Sequence, residues 1–360
     1  MSHPLRSPAA AMAVTAGLVL FSGAEARPQV LVVPTDIQQP GTQPGEVTNI
    51  QSPDKCDNCH GGYDQAVEPA HTWRGSMMSH AGRDPLFWAT VAIAEQDFVG
   101  SGDLCLRCHT TEGWLGGRST PTDGSGLSAG DADGVTCDQC HRSTDPDGSE
   151  WAGVQFEPFL THDGGTPPQG WYGSGMLVIS PDANLKLGPY QEVNPNHGFG
   201  RSRFHRDPAF CGSCHDVSNP AVGDLAPGHG AQLPLPPGSF SGVPGAPVEQ
   251  KAAFNNPPAT YGVVERTFSE HVASALPTLA VSAYLDLPPE LQDGAIADAW
   301  SAAMVASPDG NYADGTTRHF TCQTCHMPPV TGKGANKPSA PVRSDLPLHD
   351  LTGGSTWKPD

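Results

Sequence analysis

The stretch CDNCHGG at residues 56–62 holds two cysteines separated by two residues, with a histidine directly after the second cysteine. The same arrangement occurs four more times: CLRCH at 105–109, CDQCH at 137–141, CGSCH at 211–215 and CQTCH at 322–326. All ten cysteines of the chain belong to these five motifs. Such repetition excludes coincidence, so the five motifs share one chemistry.

Covalent attachment of c-type haem explains every feature of this motif. Two thiols add to the two vinyl groups of the porphyrin, and the next histidine binds the iron as proximal ligand. A zinc ribbon needs two cysteine pairs per metal, and a disulfide framework leaves the histidines unexplained. The sequence therefore predicts five c-type haems, attached through Cys56, Cys59, Cys105, Cys108, Cys137, Cys140, Cys211, Cys214, Cys322 and Cys325 and ligated by His60, His109, His141, His215 and His326.

The first 26 residues have the features of a cleavable export signal. Arg6 supplies a positive charge, residues 9–21 form an apolar core, and Ala24-Glu25-Ala26 matches a small-x-small cleavage site. The apolar run is shorter than the roughly 20 residues that a membrane span requires, and no later stretch is apolar enough. We therefore expect an exported protein, periplasmic or extracellular, with no membrane span in the mature chain.

The composition favours a loop-rich fold. The chain contains 42 Gly and 37 Pro, and only 37% of its residues are hydrophobic. Helical patterns are confined to residues 83–98, 263–276 and 289–306, and the strand signal at 176–180 is isolated. We expect a mostly irregular fold with short α-helices wrapped around stacked c-type haems, so that the haems themselves form much of the core.

The domain organisation follows the position of the motifs. Residues 27–50 are rich in Pro and Gly and read as an extended N-terminal arm, whereas residues 51–360 form the multihaem cytochrome domain. The Pro-dense stretch at 233–247 is expected to be an extended surface loop. The net charge of −19 argues against nucleic acid as a partner. It indicates either basic redox partners or only the solubility that an exported protein needs.

The second axial ligand of each iron has to come from elsewhere in the chain. Nine histidines outside the motifs and the export signal compete for five distal positions. We predict that the distal ligands include His80 before the helix at 83–98, His197 and His205 on either side of GFGRSRF, His349 in LPLHDLTGG and His162 in LTHDGG. Alternatives are the thioethers of Met77, Met78 and Met176, with His71 and His319 in reserve, while His271 is interpreted as an ordinary helix residue.

The combination of these stretches resembles a known family. CDNCHGG, SMMSHAGRDPLFWA, CLRCHTTEGWLGGRS, CDQCHR, FHRDPAFCGSCHDVSNP and CQTCHMP are similar to the bacterial multihaem cytochromes of the cytochrome c-554 type, over most of residues 51–350. The resemblance implies closely spaced haems in parallel and perpendicular pairs, mostly with two histidine ligands. It also implies distal roles for His205 and His349, which match its sequence contexts. The tetrahaem prototype has one motif fewer, so the pairing of ligands with haems cannot be carried over.

The leading functional hypothesis is an exported electron carrier that acts between redox partner proteins and is not an enzyme. One alternative is a multihaem oxidoreductase of small nitrogen or sulfur compounds at one five-coordinate haem. Pentahaem nitrite reductases carry a lysine-type attachment motif, whereas all five motifs here end in histidine. A further alternative is self-assembly into an extracellular haem filament, or docking on a membrane oxidoreductase. Binding of carbon monoxide or nitrite would favour the enzyme.

Overall fold

The computed structural model describes residues 40–97, 100–156, 173–218 and 263–352. The expected export signal at 1–26, residues 27–39 of the expected arm, His162 and the Pro-dense stretch at 233–247 lie outside these described residues. Their assignments stay predictions.

Short helices joined by turns and loops make up most of the described chain. The α-helices are α1 (Pro53–His60), α2 (Pro69–Arg74), α3 (Met77–His80), α4 (Pro85–Asp97), α5 (Gly102–His109), α6 (Thr111–Leu115), α7 (Cys137–Arg142), α8 (Pro208–Gly212), α9 (Thr267–Ala273), α10 (Gly294–Ala306) and α11 (Cys322–His326). Short 3₁₀ helices lie at Ala129–Asp133, Phe204–Arg206, Leu276–Thr278, Val281–Asp286 and Pro289–Leu291. No described helix combines the length and the apolar character that crossing a membrane requires.

Strands are few and short. β1 (Leu185–Gly188) and β2 (Gly198–Arg201) pair in parallel, while β3 (Val217–Ser218) with β4 (Val263–Glu265) and β5 (Pro329–Lys333) with β6 (Val342–Pro347) pair antiparallel. The predicted strand at 176–180 forms only isolated bridges, through Ile179 to Ser143 and Val154. The prediction of a fold rich in short helices and loops, with few strands, is confirmed. The stacking of haems stays a prediction.

The three predicted helices are present with shifted limits. Asp84 starts α4 as expected, because its carboxylate accepts a hydrogen bond from Leu86 N at 2.8 Å. The stretch at 263–276 begins instead as β4, since Glu265 pairs with Val217, and becomes helical only from Thr267. The stretch at 289–306 is broken before α10, whose first residue, Gly294, has φ +62°.

The polypeptide also builds apolar clusters of its own beside the motifs. Phe87, Val91, Leu106, Trp114 and Leu115 belong to a buried cluster that packs against Cys105 and Cys214. A second cluster, around Tyr284, Ala303 and Phe320, packs against Cys325. Haems are therefore not needed to supply all of the core, and these clusters hold the motif helices in place.

Residues 40–50 pack against the body of the domain, although the sequence placed them in an arm. Thr42 is fully buried, its hydroxyl donates to Val154 O at 2.6 Å, and it accepts from Ile179 N at 2.8 Å. Val47 is only 5% exposed and belongs to the cluster around Trp114. Proline and glycine content indicates an extended backbone, but it does not show whether that backbone is buried.

Candidate functional site

Four of the five motifs lie entirely within short helices, and the fourth motif overlaps the end of α8. Residues three and four apart share one helix face, so a single turn directs both cysteines and the histidine to the same side. Thr136 and Thr321 cap two of these turns, because their hydroxyls accept from Gln139 N and Thr324 N, each at 3.4 Å. The motif thus encodes its own local geometry.

One cavity of about 980 Å³ brings these turns together. It is lined by cysteines and histidines from the first four motifs: Cys56, Cys59, His60, Cys108, His109, Cys137, Cys140, His141, Cys211, Cys214 and His215. The fifth motif contributes Gln323, and His80, His197, His205 and His349 also line the cavity. Residues spread over nearly 300 positions of the chain therefore share one site.

Cysteines of different motifs contact one another without forming disulfides, since all ten are free thiols. The thiols of Cys56 and Cys137 are close enough to shift each other's pKa, as are those of Cys108 with Cys214 and Cys211 with Cys322. The first motif thus adjoins the third, the second adjoins the fourth, and the fourth adjoins the fifth.

Most of these thiols lack the character of a catalytic nucleophile. Burial raises the pKa of Cys105 to about 11, of Cys140 to about 12 and of Cys325 to about 11. Reactive dithiols instead have a depressed thiol pKa and an exposed sulfur. These three thiols therefore lack the character of a reactive dithiol.

Each motif histidine has its Nδ1 atom within reach of an acceptor. In four of them Nδ1–H donates to a backbone carbonyl: His60 to Gly334 O (2.6 Å), His109 to Ala81 O (3.3 Å), His141 to Leu187 O (2.7 Å) and His326 to Thr352 O. In His215 it donates to a side chain, Glu265 Oε1, at 3.1 Å. Carbonyl and carboxylate oxygens only accept, so Nδ1 carries the proton and Nε2 keeps its lone pair. This is the tautomer that a metal-ligating histidine needs.

The pKa of His215 is shifted in the opposite direction from that of the other motif histidines that line the cavity. Burial lowers the pKa of His60, His109 and His141 below the ordinary value for an imidazole. In contrast, the hydrogen bond to Glu265 raises the pKa of His215. Nothing in the sequence around Glu265 pointed to this contact, which depends on the pairing of β3 with β4.

Two predicted distal histidines face a motif histidine at the distance that a shared metal requires. The ring centres of His60 and His197 are 6.4 Å apart, and those of His141 and His349 are 6.3 Å apart. A metal–imidazole bond of about 2 Å, plus about 1 Å to the ring centre on each side, gives about 6 Å. The Nδ1–H groups of His197 and His349 donate to Gly198 O at 2.8 Å and Pro347 O at 2.9 Å.

His205 approaches the same motif histidine but presents a different nitrogen. Its ring centre lies 5.9 Å from that of His141, and its Nε2–H donates to Cys140 O at 3.1 Å. Its Nδ1 atom is buried and has no partner among the described residues. Burial, together with the neighbouring His141, lowers the pKa of His205 to about 3. His205 therefore lies near His141, as expected for a distal ligand, but only its Nδ1 atom is available to bind a metal.

His80 lies at the cavity wall but is turned away. Its Nε2–H donates to Arg74 O at 3.1 Å, and no ring contact with a motif histidine is present in the described part of the chain. Near it, the ring of Phe87 stacks on that of His109 with 3.9 Å between centres and 5° between planes. The distal role of His80 stays a prediction.

The donor set fits c-type haem. Each motif turn offers two thiols and one imidazole with Nε2 available, and His197 and His349 place a second imidazole ring 6.4 Å and 6.3 Å from the rings of two motif histidines. Two imidazoles on opposite sides are the ligands required by an iron whose equatorial positions are filled by a macrocycle. One cavity joins these donors.

No protein-family profile matches the chain, and no curated protein matches it. A solved structure, that of a penta-heme cytochrome c552 from Thermochromatium tepidum, is similar to it with 17% sequence identity and a TM-score of 0.38. The match covers 85% of this chain and 57% of that chain, so this chain spans little more than half the length of the cytochrome. This likeness is weak.

Proposed function

We propose that this protein is an exported multihaem c-type cytochrome that carries electrons between redox partner proteins. The observation that carries the proposal is the state of the five motif histidines, each with its Nδ1–H held by an acceptor and its Nε2 left as a ligand. Histidines with a purely structural role are not expected to adopt the same tautomer after each of five cysteine pairs. Basic redox partners and a periplasmic or extracellular location remain part of this proposal.

Three groups of residues would hold the haems. The paired cysteines provide thioether attachment, the motif histidines the proximal ligands, and His197 and His349 the distal ligands opposite His60 and His141. When bound, haem iron with two imidazole ligands exchanges single electrons and leaves no coordination position for a substrate. The acceptors of the Nδ1–H groups, four backbone carbonyls and the Glu265 carboxylate, hold each imidazole in orientation, so that no ring has to reorganise.

The contacts between motifs support a carrier over a set of isolated sites. The thiols that interact electrostatically connect the first motif with the third, the second with the fourth and the fourth with the fifth. Cys140 is close enough to act electrostatically on Cys211, which connects the third motif with the fourth. All five attachment points therefore form one connected set whose order in space differs from the order in sequence.

Intact-mass analysis of the purified protein tests the cofactor assignment. We expect the mass of the mature polypeptide plus five haems, because each motif offers a complete attachment turn. The double substitution Cys56→Ala with Cys59→Ala should remove one haem and leave four, since the other motifs keep their own helices. A wild-type protein with fewer than five covalent haems would contradict the proposal, and carbon monoxide binding by the wild type would favour an oxidoreductase.

Glu265→Gln is expected to raise the reduction potential of a single haem. The Glu265 carboxylate draws the Nδ1 proton of His215, makes the imidazole a stronger donor and so favours ferric iron, whereas a neutral amide does this less. We expect a rise of tens of millivolts, where about 59 mV corresponds to each tenfold change in the one-electron equilibrium. A spectroscopic redox titration measures it.

Glu270→Gln is the matched control, because Glu270 carries the same charge on the exposed side of α9. It should leave all potentials close to those of the wild type. Equal shifts in the two variants would show that net charge, and not the contact with His215, is responsible.

A further inference from the structure

The two residues between the cysteines of each motif, here called the spacer, take no part in attaching a haem or in ligating its iron. In the second, third and fifth motifs the spacer nevertheless carries a buried polar side chain: Arg107 is 1% exposed, Asp138 1% and Gln323 8%. Buried polar side chains need hydrogen-bond partners. In all three motifs, these partners connect the spacer to another motif.

Gln323, in the spacer of the fifth motif, binds the segment that carries the fourth. Its Nε2–H donates to Asp207 O at 2.8 Å. Asp207 caps α8, because its carboxylate accepts from Ala209 N at 2.8 Å, and α8 contains Cys211. Helices α8 and α11 contact each other directly. The hydrogen bond therefore joins the residue after Cys322 to the start of the helix that holds Cys211.

Asp138, in the spacer of the third motif, binds the segment that carries the first. Its Oδ2 atom accepts from Gln51 N at 2.8 Å. Gln51 lies two residues before α1, which contains the whole first motif, and α1 contacts α7. Asp138 therefore fixes the start of α1 against the turn that presents Cys137 and Cys140.

Arg107, in the spacer of the second motif, is connected to the fourth motif through Gly175. Its Nε–H donates to Gly175 O, and Gly175 N donates in turn to Ser213 O at 2.7 Å. Ser213 belongs to the spacer of the fourth motif. Gly175 has φ +71°, and a Cβ atom on it would lie 2.7 Å from Cδ of Arg107, so this bridging position requires glycine.

The first motif shows that the motif turn does not by itself produce such contacts. Asn58, in its spacer, is exposed, and its Nδ2 atom donates to Asp54 O at 3.3 Å and to Lys55 O at 3.4 Å. Both acceptors belong to α1, the helix that contains Asn58. The contacts of Gln323, Asp138 and Arg107 with other motifs therefore depend on the residue type in the spacer.

On the basis of the proposed function, we infer that Gln323, Asp138 and Arg107 are positioning residues for electron transfer, each fixing one haem-attachment turn against a neighbouring one. Two thioether bonds and an axial imidazole hold a haem to its turn, so the spacing of two turns sets the spacing of their haems. Hydrogen bonds are directional and define this spacing more narrowly than apolar contacts do. The rate of electron transfer falls steeply as the distance between two haems grows.

Gln323→Met tests the inference, because methionine has a similar length and lacks the N–H donor. The full protein is used with its haem content established as five by intact mass, so a failure of the proposed function is recognised separately. We expect the magnetic coupling between two ferric haems, seen by electron paramagnetic resonance, to change and electron transfer within the protein after flash photoreduction to slow several-fold. Gln323→Asn, whose amide is one methylene too short, should act in the same direction. The absorption spectra should stay low spin, because no iron ligand is altered.

Asn58→Met is the matched control, because it replaces a spacer amide whose described hydrogen bonds stay within α1. It should keep the coupling and the rate of the wild type. A loss of stability alone would leave the magnetic coupling of the folded protein unchanged. The inference is overturned when both Gln323 variants keep the wild-type coupling and rate, or when Asn58→Met changes them equally. It is also overturned when a Gln323 variant loses the fifth haem, since the hydrogen bond would then serve attachment and not spacing.

Discussion

Replacing His349 by alanine is expected to convert one haem of five from low spin to high spin and to allow that haem to bind carbon monoxide. The ring of His349 faces that of His141 at 6.3 Å, and its Nδ1–H is held by Pro347 O at 2.9 Å. Removing this imidazole leaves one axial position open while both thioether bonds remain. Absorption spectra with and without carbon monoxide measure the change, at one equivalent of carbon monoxide per protein.

Three further variants make this prediction specific. His197→Ala should open a different haem, because His197 faces His60, so the double variant should bind two equivalents. His71→Ala is the control, since His71 is exposed on α2, and it should match the wild type. His80→Ala tests the predicted distal ligand His80, whose Nε2–H donates to Arg74 O. A His349→Ala protein that stays fully low spin would leave His205 as the better distal partner of His141.

Replacing Asp138 by alanine is expected to lower the free energy of unfolding by about 3–5 kcal/mol, which is the usual cost of removing one partner of a buried ion pair. The side chains of Asp138 and Arg142 are both fully buried. Asp138 accepts hydrogen bonds from Gln51 N at 2.8 Å, from Arg142 and from Lys186. Its loss leaves the Arg142 guanidinium buried without a counter-charge.

Urea unfolding of the protein with its cofactors attached, followed by far-ultraviolet circular dichroism, measures this loss. Asp54→Ala is the control: the pair of Asp54 with Arg74 at 2.8 Å is exposed and should contribute less than about 1 kcal/mol. Exchanging Asp138 and Arg142 together for apolar residues should recover part of the stability, because the fully buried guanidinium is removed together with its counter-charge. Similar losses for Asp138→Ala and Asp54→Ala would show that the buried network is not held by charge.

The sequence alone was sufficient for every feature that depends on short spacing. The five motifs, with their ten cysteines and five histidines, were readable because a cysteine, a second cysteine and a histidine at i, i+3 and i+4 need only one helical turn. The start of α4 at Asp84 followed for the same reason, since a cap involves neighbouring residues. Composition also indicated the loop-rich fold with few strands.

The partners of those residues were decided only by the tertiary structure. His349 was marked as a ligand by its sequence context, but its position opposite His141 depends on where β6 lies relative to α7. Glu265 reaches His215 only because β3 pairs with β4, a strand far away in the sequence. Local spacing specifies which atoms one turn presents, whereas the choice of partner is made by packing between segments far apart in sequence, which no short pattern records.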